Sequence, residues 1–121
     1  MKLAIPADKQ SMDASISQSF GRAPYFLIYD TESKDSIFLE NSAATSQGGA
    51  GIKAAQIIAD QQVNALLTPL CGEKAAEVIK GAKIEIYKTV TSSIKDNIEA
   101  FNEGKLSPLE DIHPGYHGKG K

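Results

Sequence analysis

Four short stretches hold the residues from which chemistry could be built. The first is the run Gly48, Gly49, Ala50 and Gly51, directly ahead of an apolar helical repeat. Glycines at a helix start let a ligand reach the backbone, and the unpaired N–H groups there favour an anion. The spacing is neither GxGxxG nor the Walker pattern, and no GK[ST] follows, so a nucleotide fingerprint is absent. The plainer alternative is a tight strand-to-helix turn that needs small residues. The second stretch is Cys71 and Gly72 at the next helix start. The dipole there stabilises a thiolate, which makes a better nucleophile or metal ligand. Otherwise a lone cysteine is a small buried hydrophobe. No Cys–His pair is apparent nearby, which leaves nucleophilic catalysis with little support.

The third stretch ends a long polar loop with Phe20, Gly21 and Arg22. Arg22 either presents a fixed guanidinium fork to an anion or forms a structural ion pair with Asp8 or Asp13. Those two aspartates are either a metal-binding carboxylate pair or ordinary solvated loop residues. The fourth stretch holds His113 and His117, whose spacing suits a metal on a helix. Pro114 and Gly115 stand between them and oppose a helix, so the pair amounts to a weak accessory metal contact.

These stretches need elements to position them. Lys2 to Pro6, Ala23 to Asp30, Ser36 to Asn41, Val63 to Thr68 and Lys83 to Lys88 read as strands, the second buried on both faces and the last nearer an edge. Ile52, Ala55 and Ala59 mark a helix running to about Gln62. A short helix follows from Glu73 to about Lys80, with Gly81 placed to end it in the left-handed region. A third starts near Thr91 to Ser93, with Ser93 and Asp96 loosely matching a capping box; Ile94, Ile98 and Phe101 form its stripe and Gly104 its stop. The second and third strands are close enough to pair as an antiparallel hairpin. The alternation of strand and helix after that implies parallel strands. The expectation is an α/β fold: a mixed five-stranded sheet with helices on both faces. In such sheets ligands bind beyond the carboxyl ends of the strands. There the loop from Ala7 to Arg22, the turn from Gly48 to Gly51 and the turn from Pro69 to Gly72 should converge. The polar loop is longer than a typical connection, which marks it as functional or mobile.

Composition narrows the classes. The 121 residues suit one domain, read here as 1–106, followed by a flexible tail over 107–121 rich in Pro, Gly and charge. A formal charge of −2 and no cluster of Lys and Arg argue against nucleic acid as a partner. No apolar run approaches the roughly 18 residues of a membrane span, and the start lacks a signal h-region, so the expected location is the cytoplasm. One cysteine allows no disulfide within the chain, which suits a reducing compartment.

The segments SISQSFGRAPYFLIYD, ENSAATSQGGAGIKAAQIIAD and PLCGEKAAEVI resemble the dinitrogenase iron–molybdenum cofactor biosynthesis family, which includes NifX-like proteins and the C-terminal domain of NifB-like proteins. The likeness runs from the first strand to about Leu106. It implies a three-layer α/β/α fold of RNase H-like type, nitrogenase accessory factor-like, with the second strand antiparallel to the rest. It also implies an accessory protein that is not an enzyme and that carries or assembles an iron–sulfur or molybdenum-containing cluster. Its partners would be the cluster and a client metalloprotein or assembly protein. Carried onto this sequence, the cluster-binding positions are Ser19, Phe20, Gly21, Arg22, Asn41, Gly48, Gly49, Ala50, Gly51, Cys71 and Gly72, with Cys71, His113 and His117 as metal contacts. Two other functions compete with this one. One is a module binding a protein or nucleotide without any cluster. The other is an RNase H-like phosphotransfer enzyme, for which Asp8 is suitably placed but Thr68 and Pro69 stand where a second carboxylate is needed.

Overall fold

The run Leu3, Ala4 and Ile5 has no polar side, so both of its faces must be covered. It forms strand β1 (Lys2–Ala7) at the centre of the sheet in the computed structural model, which describes residues 1–109. Strand β2 (Tyr25–Asp30) runs antiparallel along the whole of β1, from Lys2 opposite Asp30 to Ala7 opposite Tyr25. Strand β3 (Ser36–Glu40) pairs antiparallel with β2 and forms one edge. On the other side β4 (Ala65–Thr68) and β5 (Glu85–Lys88) continue the sheet parallel to β1. The order is β3-β2-β1-β4-β5. Only β2 is reversed, as the resemblance implies.

Alternation along the strands sends successive side chains to opposite faces. Ala4, Phe26, Ile28, Leu66 and Ile86 meet the apolar sides of helices α1 (Ala50–Asp60) and α2 (Glu73–Gly81). Leu3, Ile5, Leu27, Ala65 and Leu67 pack instead with Ile94 and Ile98 of helix α3 (Ile94–Asn102). Helices therefore cover both faces, two on one side and one on the other. Phe101 completes the α3 stripe half-buried, its ring edge-on to Tyr87 with centroids 5.3 Å apart.

Several boundaries differ from the sequence expectation. Gly81 is the last residue of α2, and the left-handed conformation falls to Lys83, with φ 64°. Two further residues are needed before Ile84 can turn under the helix, where its N–H donates to the Ile79 carbonyl at 3.2 Å. Gly104, at φ 72°, does end α3. The stretch after β3 contains a 3-10 helix, Ser42–Thr45, that lacks enough apolar periodicity to be read from sequence. The loop after β1 is pinned at several points. Its Asp8 N–H donates to Ser15, Ser17 N–H to Pro6 and Ile16 N–H to Ser92, while Ile16 and Phe20 are buried.

The expected tail boundary falls too early. Lys88 N–H donates to the Ser107 carbonyl and Leu109 N–H to the Ile86 carbonyl, both at 2.9 Å, and the Leu109 side chain is buried in the core beside α2. Residues 107–109 thus lie along the outer edge of β5. His113 and His117 lie outside the described residues.

Candidate functional site

Because β1, β3 and β4 run in one direction, the connections that follow them leave the same edge of the sheet. They enclose an open cleft of about 690 Å³ between Gln18–Arg22, Gly49–Ile52 and Leu70–Ala75. The expected convergence is therefore present, and each wall has a local cause.

The first wall turns back because Phe20 is drawn into the core against Phe26, with ring centroids 5.4 Å apart. That brings Gly21 hard against the start of α1. A methyl group on Gly21 would lie 2.8 Å from Gly51 N and 2.9 Å from Gly51 Cα, closer than real side chains come to backbone. Here glycine is required by close approach. Arg22 N–H donates to Ser19 Oγ, and the Arg22 guanidinium donates through Nη1 to the carbonyls of Ala44 (3.0 Å) and Ser46 (2.9 Å). Arg22 pairs with neither Asp8 nor Asp13; Asp13 is bound instead to Lys95 at 2.8 Å. The guanidinium does not stand free as a fork, though it lies at the cleft.

The second wall is the start of α1. Gly49 is the N-cap, with φ 67°, and supplies no side-chain acceptor. The first helical bond runs from Lys53 N–H to the Gly49 carbonyl. The N–H groups of Ala50, Gly51 and Ile52 consequently have no acceptor among the described residues. Lys53 Nζ donates to Ser46 Oγ at 2.8 Å, adding a second cation near this end.

The third wall repeats the arrangement. Gly72 caps α2 in an extended conformation, again with no side-chain bond, and the first helical bond runs from Ala76 N–H to the Gly72 carbonyl. The N–H groups of Glu73, Lys74 and Ala75 likewise have no acceptor among the described residues. The two helix starts are close: a methyl on Gly51 would sit 3.6 Å from Ala75 Cβ. A methyl on Gly72 would meet nothing within 4 Å. Two positive helix ends thus share one cleft.

Cys71 stands just ahead of that cap, 2% exposed and packed in the core. Burial pushes its thiol up to about 11, against a slight opposing pull from Lys80. At neutral pH it is a thiol. Of the two sequence readings, the small buried hydrophobe is the one its surroundings fit, since burial raises the thiol. Two other expected residues lie off the cleft wall. Asn41 is buried behind it, and Gly48 stands beside it with open space around its Cα. Among the described residues no group of three or more His, Cys, Asp or Glu side chains gathers.

The cleft also uses residues that sequence reasoning passed over: Gln18, Ile52, Leu70, Glu73, Lys74 and Ala75. Their only sequence signal is adjacency to the glycine turns. Leu70, 45% exposed at the rim, and Ile52 give the cleft an apolar character unusual for a phosphate site. Main-chain donors in apolar surroundings suit an anion that gives up its hydration easily.

The model of the family described as dinitrogenase iron-molybdenum cofactor matches residues 1–104. The chain belongs to that family. An uncharacterized protein of Methanocaldococcus jannaschii is 37% identical over 113 residues, 91% of this chain and 92% of that one. Among solved structures, the apo form of the orange protein from Desulfovibrio gigas superposes with a TM-score of 0.85 at 26% identity, covering 90% of this chain and 92% of that chain. A putative NifB protein from Thermotoga gives 0.81 at 32% identity, covering 95% and 98% respectively. Family membership places the chain in a non-catalytic accessory class associated with cofactor biosynthesis. No helix among the described residues is long and apolar enough to cross a membrane.

Proposed function

We propose that this protein binds and carries an anionic metal–sulfur cluster, or a precursor of one, at the cleft between the starts of α1 and α2. The observation that carries the reading is the pair of glycine-capped helix ends opening on one apolar cleft, with Arg22 beside them. Unpaired N–H groups and positive helix ends attract negative charge without a side-chain ligand set. The donor chemistry fits a cluster that arrives with its own sulfide shell better than one waiting for protein thiolates, since Cys71 is packed in the core and no group of ligating side chains gathers among the described residues. Ser19, Phe20, Gly21, Arg22, Gly49, Ala50, Gly51 and Gly72 are the contact positions in this reading, with iron–sulfur or molybdenum-containing clusters as cargo.

The same reading makes a client metalloprotein or assembly protein the destination of the cargo, and the reducing cytoplasm the location suited to its single thiol. The strand order with β2 alone reversed supports kinship with RNase H-like proteins. A phosphotransfer role has less support. Thr68 is fully buried at the end of β4 and its hydroxyl donates to the Leu70 carbonyl, where a metal-binding carboxylate would be required.

The test is anaerobic incubation with tetrathiomolybdate, or with iron and sulfide under reducing conditions, followed by desalting, metal analysis and visible spectroscopy. Retained metal with a charge-transfer band, lost in Gly72→Val, is the expected result. Protein that leaves the column colourless and metal-free with both probes refutes cluster carriage and leaves a module that binds a protein or nucleotide.

A further inference from the structure

Two of the three cleft walls are joined by hydrogen bonds, and the third is not. Asn41 sits between the first two, buried. Its Nδ2 donates to the carbonyls of Gly21 (3.0 Å) and Ala23 (2.9 Å), on the loop that ends in the first wall. Its Oδ1 accepts from Ala43 N–H at 3.1 Å, capping the 3-10 helix that leads to the second. Its main chain adds two more links, N–H to the Pro24 carbonyl and C=O from Ala44 N–H. A few residues on, Arg22 ties the same two segments again through the Ala44 and Ser46 carbonyls. Three of the four hydrogen-bonding capacities of the Asn41 side-chain amide are taken by main chain.

Among the described residues the third wall, Leu70–Ala75, makes no such bond to the other two. At its start the Thr68 hydroxyl donates to the Leu70 carbonyl, and just before it Thr89 N–H donates to the Thr68 carbonyl. Across the cleft it meets α1 by packing, at Gly51 and Ala75.

We infer that Asn41 and Arg22 are positioning residues that weld the loop 18–24 and the segment 41–49 into one rigid jaw. This jaw fixes the unpaired N–H groups at the start of α1, and the segment 70–75 stands across the cleft from it. The assignment rests on the cleft being the binding site, and deepens that reading by moving Asn41 from ligand to framework and giving Arg22 a bracing role. A rigid array of main-chain donors loses little entropy when an anion lands on it. An array whose first turn must be ordered at each binding event loses more, so the weld sets affinity through the array it holds, apart from any contact Arg22 itself makes.

Asn41→Asp is the informative substitution. It keeps the oxygen that caps Ala43 but replaces the amide donor with an oxygen facing two carbonyls. Arg22→Lys keeps the charge but loses the planar geometry that reaches both Ala44 and Ser46. Amide hydrogen exchange and tetrathiomolybdate titration are measured on the full chain. In both variants exchange should rise over residues 42–52, with β1 and β4 amides unchanged, and affinity should fall by about tenfold. Protection in Asn41→Asp, corrected for the intrinsic pH dependence of exchange, should recover in part as the pH is lowered and the new carboxyl regains one proton to donate. Exchange rising throughout the sheet would make Asn41 a general fold residue and overturn the assignment. So would local loosening with unchanged affinity. If the wild-type protein takes up no tetrathiomolybdate, the cargo reading fails, and the weld then stands or falls on whether exchange rises over 42–52 alone.

Discussion

The starts of α1 and α2 contrast with the start of α3. Ser93 caps α3, accepting from Asp96 N–H at 3.1 Å, and Asn97 finishes the job from one turn inside. Fully buried, Asn97 accepts from Val90 N–H and donates to Thr91 and Ser93, so that the loop entering the helix is closed by side chains. α1 and α2 have glycines at the corresponding places and no side-chain bond at all. One fold contains both solutions to the same problem of orphan N–H groups. Where stability alone matters, side chains satisfy the helix end; where the cleft opens, the donors are left for something else.

The contrast can be broken from either side. The largest expected effect is at the closed end: Asn97→Ala should cost about 3 kcal/mol in denaturant unfolding, because it removes three hydrogen bonds to the entering loop and empties the space of a fully buried side chain. The cleft lies elsewhere, so anion uptake by the surviving folded protein should be unchanged. Burial of Cys71 produces an effect of similar size that depends on pH. The fold holds its thiol neutral up to about 11, above the ordinary 9.0. Its contribution is therefore complete below about pH 9 and is lost as pH rises towards 11, where the unfolded chain ionises first; the loss is roughly 2 kcal/mol. Comparing the pH dependence of unfolding in wild type and Cys71→Ala checks this, the variant being flatter across that window. Slow alkylation of the native protein at pH 7.5 is the companion result.

Gly21→Ala should cost about 2 kcal/mol, since the added methyl must push backbone apart, and should damage the cleft with it. The smallest change in stability makes the sharpest test. Gly72→Asp installs on α2 the kind of cap that α3 already has, at an extended position with open space around it. It should raise stability by a few tenths of a kcal/mol, measured in urea, while abolishing anion uptake through competition and repulsion. A variant more stable yet still binding would mean that the α2 end is not part of the site.

The sequence made the sheet legible because each strand carries its own apolar run, and Gly104 and Ser93 mark helix ends with known chemistry, although Pro6, expected to stop the first strand, lies inside it and the strand runs on to Ala7. It made the meeting of three turns legible because parallel strands leave no other place for their connections. What it hid are links whose two partners are distant in the chain. Nothing near Asn41 announces Gly21 and Ala23, and nothing near Arg22 announces Ser46. Asn97 interrupts an amphipathic stripe and reads as a polar residue on the helix rim, whereas its partners arrive from the loop before it. Leu109 is a single apolar residue in a polar stretch, and one residue has no period. The state of Cys71 turns on desolvation, which depends on a depth of burial that adjacency to a helix start does not reveal.

The glycines at the cleft carry one more consequence, for how such a site can be found by mutation. An alanine scan works by taking atoms away, and at Gly49, Gly51 and Gly72 there are none to take. Truncating the neighbours would report on packing and leave the donors in place. The scan that would outline this site is the reverse one, in which each position is made larger and the cleft is mapped by what it refuses to accommodate.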